Sequence, residues 1–163
     1  MELKRVVVTG LGAITPIGNS VPEFWEGLVN GTSGAGPITY FDASLFKTQF
    51  ACEVKNFDVN KYIDRKEARK MDLYTQVAIA VAKDAVEDSG LDTENEDRNR
   101  IGVIFGAGIG GIRTFEEEAG NYALHKELGP KFNPFFIPKM ISDIAAGQIS
   151  IIYGFHGPNY ATC

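Results

Sequence analysis

Cysteine is scarce in this sequence, and long apolar runs, internal repeats and low-complexity tracts are absent. Only Cys52 and Cys163 occur, too few for a disulfide framework and without the spacing of metal ligands, which predicts no metal site and a reducing compartment, the cytoplasm. The apolar runs fall far short of the ~18 residues that span a membrane. The N-terminal apolar run is broken by glycines and lacks a cleavage site, so we expect neither a signal peptide nor membrane association.

A strong excess of charge of one sign is also lacking. The formal net charge is -5, with 23% charged and 44% hydrophobic residues, a composition that is ordinary for a globular protein and excludes disorder or a collagen-like chain. The weak negative charge argues against nucleic acid as a partner. The length suffices for one domain, because a core of this size buries roughly 70% of the unfolded surface.

Strands and helices are predicted to alternate, with glycine-rich connections between them. In the first half of the chain we expect a buried strand over 5–9, a helix opened by Ser20 and ended by Asn30-Gly31, and a half-exposed strand over 47–54. A helix from Met71 to Ser89-Gly90 and an exposed charged loop over 92–100 are expected next. A buried strand over 100–105, a helix and a connector over 121–131 follow. Cys52 is expected to be a small core residue. The alternation indicates an α/β fold with a mostly parallel sheet.

The last stretch of the chain predicts a helix, a turn, a short strand and a thiol. Apolar residues at helical spacing indicate a helix that follows Pro138 and ends at Gly154, which suits a left-handed cap. Residues 157–159 form a turn signal. Residues 160–162 are an extended run of the kind that carries a reactive residue to the edge of a sheet. Cys163 is therefore a candidate nucleophile, although an isolated cysteine is more often a small apolar residue.

A glycine-rich loop offers a second interpretation. Gly106, Gly108 and Gly111 satisfy G-x-G-x-x-G after a predicted strand and before a helix, the context of a dinucleotide fingerprint in which backbone amides hold a pyrophosphate. The loop comes late in the chain, and no clear acidic residue follows at the usual distance. A dinucleotide-binding α/β module is the alternative function.

Basic residues cluster in the middle of this acidic chain. Lys66, Arg69 and Lys70 are spaced i, i+3 and i+4, which places them on one face if the segment is helical. Most such clusters are solvated helix faces. A compact positive site in an acidic protein would also steer and orient one acidic partner, and no aromatic residues for base stacking lie beside it.

Five blocks of sequence, in order, resemble a known family. They are VVVTGLGAITPIGNSVPEFWEGLVNGTSG, RKEARKMD, GAGIGG, FNPFFIPKMISDIAAGQISIIYG and GPNYAT. They resemble the β-ketoacyl-[acyl-carrier-protein] synthases of the II type, in the thiolase superfamily, and the resemblance covers the whole chain. It implies a thiolase-like fold of layered helices and a mostly parallel mixed sheet, with residues 1–163 as its N-terminal half, ending near the active-site cysteine.

The resemblance also implies an activity and partners. The family's function is that of a 3-oxoacyl-[acyl-carrier-protein] synthase in fatty-acid elongation, which condenses malonyl-carrier protein with a cysteine-bound acyl chain by a decarboxylative Claisen reaction. Acyl carrier protein and a second copy of the enzyme are the implied partners, and no cofactor is implied. The family's catalytic histidines and lysine have no counterpart in this sequence, so the chain alone is expected to be inactive.

Particular residues receive roles from the same resemblance. The implied acyl-pocket residues are Ile109, Phe135 and Phe136, the implied carrier-protein-binding residues are Lys66, Arg69 and Lys70, and the nucleophile candidate is Cys163. The family has a longer segment from the Gly-Pro turn through its nucleophile. Cys163 is therefore either the nucleophile in an altered register or a residue near it.

Overall fold

The computed structural model describes residues 4–162, which form two units. The first unit comprises residues 4–58 and 83–90, and the second comprises residues 59–82 and 91–162. The helices are α1 (Val21–Val29), α2 (Arg65–Ala68), α3 (Leu73–Ser89), α4 (Ile112–Leu124), α5 (Phe136–Met140) and α6 (Ile144–Tyr153). The strands are β1 (Gly36–Pro37), β2 (Phe50–Ala51), β3 (Val103–Gly106) and β4 (Asn159–Thr162). No helix within residues 4–162 has both the length and the apolar character needed to cross a bilayer.

Helix α1 of the first unit begins and ends where the sequence predicts. The Glu23 amide donates to the Ser20 hydroxyl at 3.3 Å, and the Glu23 carboxylate accepts from the amide of Asn19 at 2.7 Å. Pro22 occupies the first turn, where a missing N–H costs nothing, and Asn30 is the C-cap. These local contacts satisfy the free amides at the helix start and confirm the predicted boundaries.

The strand predicted over residues 5–9 does not form. The segment belongs to no strand and is exposed, with 91% of the Val6 surface accessible. Preference for the β conformation describes how a side chain fits a pleated, half-buried surface rather than an intrinsic backbone choice. No strand among residues 4–162 pairs with this run, so its valines have no such surface.

The strand predicted over residues 47–54 is reduced to the two residues of β2. It pairs antiparallel with β1, with Pro37 opposite Phe50 and Gly36 opposite Ala51. Cys52 lies just beyond β2 and is exposed. The expectation that Cys52 is a core residue is therefore wrong, because so short a pair covers neither face of the segment.

The second unit is built on a parallel pair of strands. β3 and β4 run in the same direction, with Val103 opposite Asn159 and Gly106 opposite Thr162, and α6 packs on both. The strand predicted over 100–105 thus forms with shorter bounds, Val103–Gly106, but the prediction that it is buried is wrong, because Ile104 is 71% exposed. Parallel pairing requires a crossover, which α4, α5 and α6 provide.

The core of the second unit lies between its helices and this strand pair. Its buried members are Ile63, Ala68, Ile79 and Ile149, with Val103, Phe105 and Tyr153 among the residues packed against them. The alanines at positions 78 and 80 of α3 and 145 and 146 of α6 are also buried. Small side chains at these positions allow close packing of the helices, as the alanine-rich pattern of α3 predicts.

The helix predicted after Pro138 is divided in two. Ile141 is extended, with φ -64° and ψ 139°, and separates α5 from α6. At the far end, Gly154 adopts φ 65° and ψ 31° and caps α6 in the left-handed conformation, which confirms the predicted helix end. Helix α4 continues to Leu124, four residues into the predicted connector, and a 3-10 turn follows at Lys126–Leu128.

Candidate active site

The carboxyl ends of β3 and β4 lie side by side in the second unit. Gly106 and Thr162 are paired, and the Ala107 amide donates to the Thr162 carbonyl at 2.9 Å, which continues the ladder by one bond. Ligands of parallel α/β sheets bind beyond this edge. Cys163 follows Thr162 in the sequence but lies outside the described residues, so its role as the nucleophile stays a prediction.

A cavity of about 830 Å³ lies beside the last strand. It is lined by Ile109 of the glycine-rich loop, Ile112 and Phe115 of α4, residues 140–143 between α5 and α6, and residues 159–161 of β4. Most of these side chains are apolar, which suits a hydrocarbon chain better than a polar ligand. Ile109, for which the family resemblance implies an acyl-pocket role, lies in the wall of this apolar cavity, and that role stays a prediction.

Few polar groups face this cavity, and one of them supports the wall. The Asn159 side chain donates to the Ala146 carbonyl at 2.9 Å and to the Ser150 hydroxyl at 2.7 Å, so it fixes α6 against β4. Ser142 and Asp143 are the other polar residues of the wall. Nowhere in residues 4–162 do three His, Cys, Asp or Glu side chains gather closely enough to hold a metal ion.

The joint between α5 and α6 is held by hydrogen bonds from two other elements. The Gly111 amide donates to the Met140 carbonyl at 3.0 Å, and the Tyr74 hydroxyl donates to the Ile141 carbonyl. Burial raises the pKa of Tyr74, so its hydroxyl keeps its proton and remains a donor at neutral pH. Because residues 140–143 line the cavity, these two bonds fix one side of its wall.

The glycines of the loop allow close packing on α5. A Cβ at Gly111 would lie 2.2 Å from the Lys139 carbonyl oxygen. Gly110 has a φ of +81°, and a Cβ there would lie 2.5 Å from the Met140 carbonyl oxygen. The Gly111 amide bonds to Met140, and the Ile112 amide bonds to Gly110. Amides needed to cradle a pyrophosphate are thus already engaged, which argues against the dinucleotide interpretation.

A buried acid that the sequence analysis did not single out joins the starts of α3 and α4. The Thr114 hydroxyl donates to Asp72 Oδ2 at 2.6 Å, and the Tyr74 amide donates to Asp72 Oδ1 at 3.1 Å. Asp72 and Thr114 are both buried. The helix was predicted from Met71, which placed Asp72 inside it; α3 begins at Leu73, and an acidic residue directly before a helix is typical of an N-cap.

The two predicted pocket phenylalanines lie next to the cavity rather than in its wall. The described residues that line it do not include Phe135 or Phe136. Phe136 stacks on Phe115, which does line it, with ring centroids 6.3 Å apart, and on Phe132 at 5.5 Å. The Lys70 ammonium lies 5.9 Å from the Phe135 ring centroid. Their role as pocket residues stays a prediction.

The basic cluster does not share the face of one helix. Helix α2 ends at Ala68, Arg69 is its C-cap, and Lys70 lies beyond it, because the chain turns here before α3 begins. Lys70 Nζ is 2.6 Å from Glu67 Oε1. Lys66 and Arg69 are exposed, and neither forms an ion pair within the described part of the chain. A partner could therefore contact both side chains without breaking an ion pair within the described residues.

Comparison with known proteins gives one consistent result. The family model for the β-ketoacyl synthase N-terminal domain matches residues 3–162. A 3-oxoacyl-[acyl-carrier-protein] synthase 2 of Staphylococcus aureus (strain N315) is 47% identical over 98% of this chain. The ishigamide ketosynthase/chain length factor superposes with a TM-score of 0.85 at 28% identity over 96% of the chain.

A third relative was solved with a partner. It is a ketosynthase in complex with its type II PKS acyl-carrier protein and bound to the hexaketide, with a TM-score of 0.77, 28% identity and 98% of this chain covered. The chain spans 38% of the length of the Staphylococcus relative, 39% of the ishigamide protein and 41% of the third. The α/β fold is therefore thiolase-like and corresponds to the N-terminal part of these proteins.

Proposed function

Since this chain belongs to the β-ketoacyl synthase family through that family's N-terminal domain, we propose that it is the N-terminal part of a 3-oxoacyl-[acyl-carrier-protein] synthase of fatty-acid elongation. Residues 1–163 are one ketoacyl-synthase domain in this proposal. The observation that carries it is the apolar cavity beside β4, the strand that leads to Cys163. A cavity of about 830 Å³ has room for an acyl chain.

The proposed reaction has two stages. The cysteine thiolate attacks the thioester carbonyl of an acyl chain on acyl carrier protein, a new C–S bond forms, and the carrier thiol leaves. Malonyl-carrier protein then loses carbon dioxide, and the resulting carbanion attacks the enzyme-bound acyl carbonyl and expels the cysteine. The residues that assist decarboxylation belong to the part of the family's length that this chain does not span, so this chain alone is inactive.

The proposed roles of individual residues are those that the resemblance to the family implies. Cys163 is the nucleophile candidate, and Ile109 contacts the acyl chain in the wall of the cavity. Phe136 supports the pocket from the side of Phe115, through the stacked rings of these two residues, and Phe135 is the other proposed acyl-pocket residue. No cofactor takes part, because thioester exchange and decarboxylation supply the driving force without one.

Acyl carrier protein is the proposed partner, and Lys66, Arg69 and Lys70 form its docking surface. The solved ketosynthase that is bound to its acyl-carrier protein supports this choice. Lys66 and Arg69 provide exposed positive charge in a chain of net charge -5, which favours one acidic partner and speeds its encounter. The structure assigns Lys70 a different environment, between Glu67 and Phe135.

A homodimer in the cytoplasm completes the proposal. Ile104 of β3 is 71% exposed, an apolar side chain that the remainder of the full-length protein or a second copy would cover. Sedimentation of the full-length protein that carries this chain should give a dimer, and a clean monomer at micromolar concentration would contradict the proposed assembly. The two cysteines of the chain agree with a reducing compartment.

Condensation by the full-length protein tests the function. Purified protein is incubated with acyl-carrier protein and malonyl-carrier protein, and 3-oxoacyl product and carbon dioxide are measured. We expect equal amounts of both, loss of product in Cys163→Ser, and normal turnover in Cys52→Ser. Absence of product from the unmodified protein would overturn the proposed function, whereas an active Cys163→Ser variant would overturn only the choice of nucleophile.

A further inference from the structure

We propose that Tyr74 is a positioning residue whose hydroxyl sets the length of acyl chain that the cavity accepts. Tyr74 lies in the first turn of α3, and its hydroxyl donates to the Ile141 carbonyl, 67 residues further along the chain. This inference rests on the proposed function for its substrate class. It adds a determinant of specificity that does not itself line the larger cavity.

The contact is made at the place where the helical path of the chain is broken. Ile141 is extended and separates α5 from α6. Residues 140–143 form the longest continuous piece of the wall of the larger cavity. Met140 ends α5 and Ile141 is its C-cap, and the last carbonyls of a helix have no donor within the helix, so bonds from neighbouring elements fix the positions of these two carbonyls.

Two such bonds are present, and they differ in kind. The Gly111 amide holds the Met140 carbonyl at 3.0 Å, a contact between two stretches of backbone. The Tyr74 hydroxyl holds the Ile141 carbonyl. Of the two hydrogen bonds, this is the one that a change of side chain can remove without altering the main chain. Asn159 fixes the next element, α6, through Ala146, so the wall is free to shift mainly at the joint.

Tyr74 also stands beside a second, smaller cavity. This cavity of about 360 Å³ is lined by Tyr74 and Val77 of α3 and by the glycine-rich loop, and Ile109 lines both cavities. The Tyr74 ring therefore borders one cavity, while its hydroxyl holds the wall of the other. If the joint between α5 and α6 is displaced, neighbouring side chains can move into this smaller cavity.

A fixed wall excludes a chain that is too long because close-packed protein does not compress to admit extra methylene groups. Loss of the Tyr74 hydroxyl removes one hydrogen bond from the joint but leaves the ring in place. The wall then yields to longer chains, and the preferred length becomes less sharply defined. The chemical step takes place at the thiol and is unaffected.

The test compares Tyr74→Phe with Tyr122→Phe in the full-length protein. Tyr122 is a matched control, because the substitution also removes one phenolic hydroxyl, from a ring that lies tilted against Phe132, outside the lining of the larger cavity. kcat and KM are measured for saturated acyl thioesters of increasing length. In Tyr74→Phe, we expect the ratio of kcat/KM between the preferred substrate and the next longer one to fall about three- to tenfold, the range for one hydrogen bond, with kcat for the preferred substrate unchanged.

Two outcomes would overturn the inference. If turnover by Tyr74→Phe falls in equal proportion at all chain lengths, Tyr74 serves stability alone. If Tyr122→Phe alters the length preference as Tyr74→Phe does, the effect does not depend on the bond to the joint. If the unmodified protein condenses no acyl thioester, the proposed function fails instead. In that case the affinities for saturated fatty acids of graded length decide the positioning role. The role holds if the dependence of affinity on chain length differs between the unmodified protein and Tyr74→Phe, and it fails if the two dependences coincide.

Discussion

The Thr114 hydroxyl donates a hydrogen bond to the buried carboxylate of Asp72 at 2.6 Å. Asp72 directly precedes α3, and Thr114 lies in the first turn of α4. The bond therefore holds together the starts of the two helices that carry Tyr74 and the cavity residues Ile112 and Phe115. Its importance for the site is structural, because Asp72 does not line the described cavity.

We expect Thr114→Val to destabilise the full-length protein by about 1–3 kcal/mol, because it leaves a buried carboxylate oxygen without its hydrogen-bond donor. Urea denaturation followed by circular dichroism measures the change. Thr48→Val is the matched control, since Thr48 is exposed and surface substitutions usually change stability by less than about 0.5 kcal/mol. Equal stability of the two variants would mean that the buried bond contributes nothing.

The glycine-rich loop offers a second test within one short stretch. Gly111→Ala would place a Cβ 2.2 Å from the Lys139 carbonyl oxygen, whereas Gly108→Ala meets nothing within 4 Å. We expect Gly111→Ala to destabilise the protein by roughly 1–3 kcal/mol through overpacking and to slow turnover by displacing α5. Gly108→Ala should leave both nearly unchanged. If the two variants behave alike, close packing is not the reason for the glycine at position 111.

The basic surface is tested by charge reversal. We expect the double variant Lys66→Glu and Arg69→Glu to raise KM for acyl-carrier substrates about fivefold or more at low salt, because two favourable charge contacts become repulsive. KM for acyl-coenzyme A or small thioesters should not change. The effect should shrink as salt is added, since exposed charges are screened.

Two controls sharpen this measurement. Lys126→Glu reverses an exposed charge in the 3-10 turn that follows α4 and should leave KM for both substrate types unchanged. Lys70→Glu should have a smaller effect on carrier-protein KM than Lys66→Glu, because Lys70 already contacts Glu67 and Phe135. Rates that fall equally with carrier-bound and free thioesters would show that the cluster is structural.

Features that depend on neighbouring residues could be predicted from the sequence. Ser20 and Glu23 cap α1 through contacts within four positions, and Gly154 ends α6 through its own backbone conformation. The alanine-rich stripe of α3 and the strand before Gly106 could also be predicted, because each is a pattern of residues close together in the sequence. The acyl-pocket role of Ile109 came from resemblance to a family, and it stays a prediction although Ile109 lines the cavity.

Features that depend on distant residues could not be predicted. The valine run at residues 5–9 needs a partner strand before it can form one, and a hydrophobic pattern does not reveal whether a partner exists. The break at Ile141 interrupts an apolar pattern that is continuous in the sequence, and it is held by Tyr74 from 67 residues away. The exposure of Cys52 follows from the shortness of β2, which the alternating pattern over 47–54 does not indicate.

The most direct test of the account is the site of acylation. The full-length protein is incubated with acyl-carrier protein without malonyl substrate, and its intact mass and peptide masses are measured. We predict one acyl group per chain, on the peptide that contains Cys163 and not on the one that contains the exposed Cys52. Acylation of both cysteines to the same extent, or of neither, would contradict the account.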